Sequence, residues 1–97
     1  MVIITKTVVN LFGKKHADAA DALNSRYDLT SNADWQQLSD IKQTFNSVDY
    51  VGNERFVFNI KGNKYRLVAM IFFDIRTIFI RFIGTHAEYD KINATII

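Results

Sequence analysis

Ninety-seven residues, 48% of them hydrophobic and 23% charged, suffice for one hydrophobic core and not for two, which predicts a single domain over 1–97. The chain has no cysteine, so a disulfide framework and a thiolate metal site are excluded. It also shows no signal-peptide pattern and no apolar run long enough to span a membrane, and a cytoplasmic location without a membrane partner is expected. The net charge of +2 is unevenly spread: residues 1–49 hold five Lys/Arg against six Asp/Glu, and residues 50–97 hold seven against four.

The opening "VIIT" reads as a short strand. From Thr5, a candidate N-cap, apolar residues recur at helical spacing through Val8, Leu11, Phe12, Ala19, Leu23 and Tyr27, and Gly13 weakens or breaks that helix. His16 is read as a surface or boundary residue, because one histidine with no second ligand nearby makes a poor metal site. "SNADWQQLSDIKQTF" predicts a second helix, with Ser31 or Asn32 as its cap and Trp35, Leu38, Ile41 and Phe45 as its apolar stripe.

After residue 50 the hydrophobic period changes to two. "RFVFNIK" and "KYRLVAMIFF" flank Gly62-Asn63, a two-residue connection suited to a tight hairpin, and a third strand "RTIFIRFI" follows Asp74-Ile75. The order of a short strand, two helices and an antiparallel β-meander implies an α+β domain with its helices on one face of the sheet.

If both turns contain two residues, Ile60 faces Tyr65, Asn59 faces Arg66, Phe72 faces Thr77 and Val68 faces Arg81. Alternation then sorts Phe56, Phe58, Ile60, Tyr65, Leu67, Ala69, Ile71, Phe73, Ile78, Ile80 and Phe82 onto one apolar face, which should carry the helices. The other face gathers Asn59, Lys61, Lys64, Arg66 and Arg81 toward the Gly62-Asn63 end, with Ile83 opposite Arg66. Its apolar members Met70, Phe72 and Phe79 gather at the far end, as covered surface or a partner's seat. The cleanness of the apolar face argues against a bulge. Six basic residues against the single Asp74 in 55–81 suggest an anionic partner, although solvated edge charges give the same count.

The third strand runs into "GTHAEYDKI". Thr85 and Glu88 have capping-box spacing, so a short helix should open at His86 and bring Tyr89 to the same side one turn later. Two guanidiniums (Arg66, Arg81), an imidazole (His86) and a phenol (Tyr89), with no carboxylate pair, suit a phosphodiester better than a sugar or an acyl group. RNA carries its own nucleophile in the 2′-OH. Cleavage then needs a base near that hydroxyl, positive charge at the phosphorane and an acid at the leaving 5′-oxygen. His86 fits the base role when neutral and the acid role when protonated, and the pattern leaves both open. Nothing in this set demands a metal or another cofactor. Lys61, Lys64 and Asn59 are read as residues that position RNA. A plain structural role for His86 and Tyr89, packed on the sheet from a capped helix, fits the same pattern.

"FVFNIKGNKYRLVAMIFF" followed by "IRFIGTHAEYDKI" resembles the HigB toxins of type II toxin–antitoxin systems, relatives of the RelE-like mRNA interferases. The likeness extends to "VIIT", "DAADAL" and "ADW". It implies a RelE-like α+β fold and a metal-independent endoribonuclease that cleaves mRNA on the ribosome and so inhibits translation. It also implies neutralisation by a HigA-type antitoxin with a helix-turn-helix domain, and contact with operator DNA only through that antitoxin. Arg66 in "KYRL", Arg81 in "IRFIG", and His86 and Tyr89 in "THAEY" are the residues that the resemblance carries as catalytic. Lys61 and Lys64 match the positive surface that such toxins turn toward RNA. A non-catalytic RNA- or protein-binding module, and an inactive homologue acting only in a repressor complex, are the alternatives.

Overall fold

In the computed structural model, which describes residues 1–4, 6–62 and 64–97, the chain runs β1 (Val2–Ile4), α1 (Lys6–Lys15), α2 (Ala17–Ser31) and α3 (Leu38–Thr44). It continues through β2 (Val48–Gly52), β3 (Arg55–Ile60), β4 (Tyr65–Phe72), β5 (Thr77–Thr85) and a one-turn helix α4 (His86–Tyr89). The strands form one sheet in the order β1-β5-β4-β3-β2, so β4 is central and β1 and β2 are the edges. All neighbours are antiparallel except β1, which lies parallel to β5. This is the α+β architecture anticipated, with one more strand.

The core lies between the helices and one face of the sheet. Val9, Ala19, Leu23 and Ile41 of the helices pack with Phe56, Phe58, Ile60, Tyr65, Ala69, Ile71 and Ile78 of the strands. Strand alternation in "RFVFNI" and "YRLVAMIF" supplies that face, because every second side chain is apolar. Trp35, 3% exposed, enters the core from the loop before α3, where its indole N–H donates to Thr44 Oγ1 at 3.2 Å.

Several boundaries differ from the sequence reading. The long first helix breaks at His16 rather than at Gly13, which stays helical within α1. A Cβ at Gly13 would sit 3.3 Å from Ala20 Cβ, so the missing side chain lets α2 fold back closely on α1. The second predicted helix shrinks to Leu38–Thr44. Ser31 and Asn32 end α2 instead of opening α3: the Asn32 backbone N–H and side-chain amide both donate to the Asp28 carbonyl. β2 was not anticipated. It is joined to β3 by Asn53 and Glu54, both at positive φ (52° and 59°), the geometry that matches strand twist in a two-residue hairpin. The expected Thr5 cap and the role of Asn63 in the hairpin turn fall outside the described residues.

The register of the first hairpin agrees with expectation: Asn59 pairs with Arg66 and Ile60 with Tyr65. In the second hairpin, Phe72 pairs with Thr77 as expected, but the ladder slips between Val68 and Ala69. Val68 pairs with Phe82, Ala69 with Ile80, and Arg81 is the extra residue of a β-bulge. The bulge reverses the faces beyond it. Ile83 turns to the helices and packs on the core, Phe82 turns to the open face, and Gly84 rather than Ile83 lies opposite Arg66. The expectation of an unbulged strand with Arg81 opposite Val68 is thereby corrected.

Candidate functional site

The site is built around α4. Thr85 ends β5 and caps the helix as its spacing foretold: its hydroxyl accepts from the Glu88 N–H at 3.2 Å, and the Glu88 carboxylate accepts from the Thr85 N–H at 2.8 Å. Those hydrogen bonds, the backbone one foremost, hold the Glu88 carboxyl below its ordinary pKa. The His86 N–H also donates to the Lys64 carbonyl at 3.3 Å, which fastens the helix start to the foot of β4. A single turn therefore carries both His86 and Tyr89, anchored at its start to strand and hairpin.

His86 is exposed, and its Nδ1 lies 3.1 Å from a carboxylate oxygen of Asp90, one turn on. With Nδ1–H donating to Asp90, Nε2 is the nitrogen left to exchange a proton with a ligand. The Tyr89 ring is half-buried. The Arg66 guanidinium carbon lies 5.8 Å from its centroid, inside cation–π range, and the Phe82 ring flanks it at 6.5 Å. Gly84, opposite Arg66, makes room for that ring: a Cβ there would come within 2.5 Å of Phe82 Cζ. Arg66, His86 and Tyr89 are thus gathered at one rim.

Arg81 is placed differently. From the bulge its exposed side chain reaches the C-terminal tail, where Nε donates to a main-chain oxygen of Ile97 at 3.2 Å. Lys64 forms an ion pair with Asp18 of α2, and the same carboxylate accepts from the Tyr65 hydroxyl at 2.6 Å. Lys64 and Tyr65 hold the Asp18 carboxyl down to about 2, and Asp18 in turn raises the pKa of both partners. Asn59 donates to Ser47 Oγ at 2.5 Å, and Lys61 is exposed in the turn at φ 53°.

Residues passed over in the sequence also reach this rim. His16, at the break between α1 and α2, stacks on Phe12 at 4.4 Å and meets the edge of Tyr65 at 5.3 Å. Together with Lys15 it lies close enough to add attraction for the Glu88 charge. The signal was present in its helical spacing from Phe12, but the link to α4 is purely tertiary. Among the described residues, no cluster of three His, Asp or Glu side chains could hold a metal ion. A cavity of about 60 Å³ lined by Val9, Leu23, Trp35 and Ile71 belongs to the core, on the other side of the sheet from Arg66.

An α+β domain whose sheet rim joins guanidinium, imidazole and phenol on a capped helical turn has the chemistry of a small polyanion-directed protein. The HigB toxin family, described as the RelE-like toxic component of a toxin–antitoxin system, matches residues 19–92, and the chain belongs to it. Over 94 residues it is 31% identical to the mRNA interferase HigB of Escherichia coli O6:H1, covering 95% of this chain and 91% of that protein. It is 30% identical over 97 residues to the mRNA interferase toxin HigB of Escherichia coli K12 and to the mRNA interferase HigB of Shigella flexneri, covering 97% of this chain and 92% of each relative. Membership of a toxin–antitoxin family implies an antitoxin partner. Among the described residues, no helix is long and apolar enough to cross a membrane.

Proposed function

We propose that this chain is an mRNA interferase toxin that cuts RNA at the α4 rim. The reaction is transfer of the phosphoryl group to the RNA's own 2′-oxygen. A 2′-O–P bond forms, the P–O5′ bond breaks, and the ends are a 2′,3′-cyclic phosphate and a 5′-hydroxyl. His86 Nε2, with its ring held by Asp90, takes the 2′-hydroxyl proton. Tyr89 donates to the leaving oxygen, directly or through water. Arg66 carries the charge that develops on the phosphorane. Lys61, Lys64, Asn59 and Arg81 hold the strand by its phosphates. With acid, base and cation all supplied by side chains, the step needs no metal.

The observation that carries this reading is the Arg66 guanidinium lying against the Tyr89 ring on the turn that presents His86. Names of relatives with about 30% identity along nearly the whole chain support it. We further propose that cleavage takes place on translating ribosomes and that a HigA-type helix-turn-helix antitoxin neutralises the toxin and mediates any contact with operator DNA. The Arg81 bond to the tail favours one rival, a binding module in which the cations hold RNA or structure without cleavage.

Mapping RNA ends after induction in cells separates the two. Wild type should arrest growth and create new 5′-hydroxyl ends in mRNA. His86→Ala and Tyr89→Phe, if folded, should lower cleavage on the order of 100-fold. Cleavage undiminished in both variants removes the assignment, and wild type yielding no new ends favours the binding module.

A further inference from the structure

The open face of the sheet carries more than the α4 rim. On it Val57 and Val68 are 5% and 0% exposed, yet neither belongs to the helix-side core. The C-terminal tail, residues 93–97, is tied to this face by three side-chain bonds. Asn53 Nδ2 donates to the Thr95 carbonyl at 3.0 Å, and Arg55 Nη2 and Arg81 Nε both donate to the same oxygen of Ile97, at 2.9 and 3.2 Å.

Two guanidiniums converging on one oxygen is an arrangement suited to an anion. Here they meet an oxygen of Ile97, and Arg55 is left incompletely partnered. Arg55 donates through Nη1 to the Asn53 carbonyl and through Nη2 to Ile97, while its Nε is sealed from water with no hydrogen-bond partner. A buried donor left unmade carries a penalty that an added acceptor would remove. Arg55 lies opposite Met70, four residues along β4 from Arg66 on the same face, or about 13 Å at strand rise. A short extended single strand crossing Arg66 reaches that distance.

We infer that Arg55 and Arg81 form a second phosphodiester-binding site, which the tail fills at rest and an RNA strand occupies by displacing residues 93–97. The inference rests on the proposed RNA-cutting role of this face and adds to it a backbone subsite remote from the chemistry. Arg55 becomes a binding residue, and the tail becomes a competitor that weakens RNA binding without touching His86 or Tyr89.

The test uses a 2′-O-methyl oligonucleotide, which lacks the nucleophile and is not cut, titrated into the isotope-labelled full chain while the amide signals of residues 93–97 are followed by NMR. The tail signals should move to disordered positions as the oligonucleotide saturates. Arg55→Ala should weaken binding about tenfold and reduce its salt dependence. A chain ending at Ile92 should bind several-fold tighter than the full chain. Because truncation also removes the bonds from Asn53, Arg55 and Arg81 and so could destabilise the fold, Asn53→Gly serves as a second variant. It keeps the positive-φ turn, removes the bond to Thr95, and should also tighten binding. Oligonucleotide binding with the tail signals unmoved, or with Arg55→Ala unaffected, overturns the subsite and leaves the RNA reading standing. No binding by any of the folded variants overturns both. Inorganic phosphate releasing the tail where the oligonucleotide does not overturns the assignment to RNA.

Discussion

Gly84 is the position where a single methyl group should disturb the site most directly. A Cβ added there would stand 2.5 Å from Phe82 Cζ, 3.1 Å from Phe82 Cε1 and 3.2 Å from Glu88 Cβ. The first separation is more than 1 Å inside optimal carbon contact, so the phenyl ring must swing away. Phe82 flanks Tyr89, and Glu88 closes the capping box, so relief in either direction moves α4. Overpacking of this kind costs about 1–3 kcal/mol. In urea that corresponds to a midpoint lowered on the order of 1 M with an unchanged slope. Phe82→Ala alone should destabilise by loss of ring burial, yet it also empties the space that the new methyl needs. The Gly84→Ala/Phe82→Ala double variant should therefore be more stable than the sum of the two single losses predicts, with a coupling of about 1 kcal/mol. Urea unfolding of the four proteins, paired with an RNA cleavage assay, measures this. Gly84→Ala should also cut more slowly than its loss of stability accounts for, because the ring beside Tyr89 has moved. Strictly additive energies, with cleavage by Gly84→Ala at the wild-type rate, would show that the ring does not buttress the site.

Three further outcomes follow from the same rim. The Asp18 carboxyl is depressed from 3.8 to about 2, so its pairing stabilises the fold in full above its ordinary pKa and is lost as pH falls toward 2. The stability difference between wild type and Asp18→Asn should shrink over that window in a pH series of urea melts, and a constant difference would contradict it. Thr85→Ala removes the acceptor for the Glu88 N–H and should cost about 1 kcal/mol, with faster amide exchange at Glu88, while Thr85→Ser stays near wild type. Lys61 sits at φ 53°, a conformation asparagine tolerates better than lysine. Lys61→Asn should gain on the order of 0.5 kcal/mol in thermal unfolding while weakening RNA binding uniformly across sequences.

The parts of this fold that could be read in advance are those in which a local pattern allows one arrangement. Period-two alternation from Phe56 to Ile80 selects one face for the helices, and a slip in the first hairpin would bury Asn59 and Arg66, so their pairing was legible. The capping box needs only Thr85 and Glu88 three residues apart. By contrast, "RFI" at 81–83 reads equally well in either register, because Phe82 and Ile83 are both apolar and exchange faces without breaking the pattern. β2 was hidden because Val48 is buried while Tyr50, on the same face two residues on, is 54% exposed. Ser31 and Asn32 carry side chains that serve either end of a helix, and which end they serve depends on Trp35 reaching the core from a loop. The tail contacts of Arg55 and Arg81 are long-range bonds to main-chain oxygens, which no side-chain pattern encodes.

The bulge at Arg81 links these pieces. Inserting one residue removes Arg81 from the ladder and frees its side chain to leave the strand direction, which is how it reaches the tail. The same insertion turns Phe82 outward, where its ring lies over Gly84 and beside Tyr89, and returns Ile83 to the core. The position of the phenol and the reach of the guanidinium are therefore set by one backbone irregularity rather than by two separate features. It follows that loss of cleavage in Arg81→Ala has two physical sources, the missing cation and any relaxation of the bulge that turns Phe82 away. Arg81→Lys separates them. It keeps a charge and a long apolar stem at the bulge but surrenders the guanidinium fork, so a role in binding phosphate predicts loss with Lys, whereas a role in holding the bulge predicts retention.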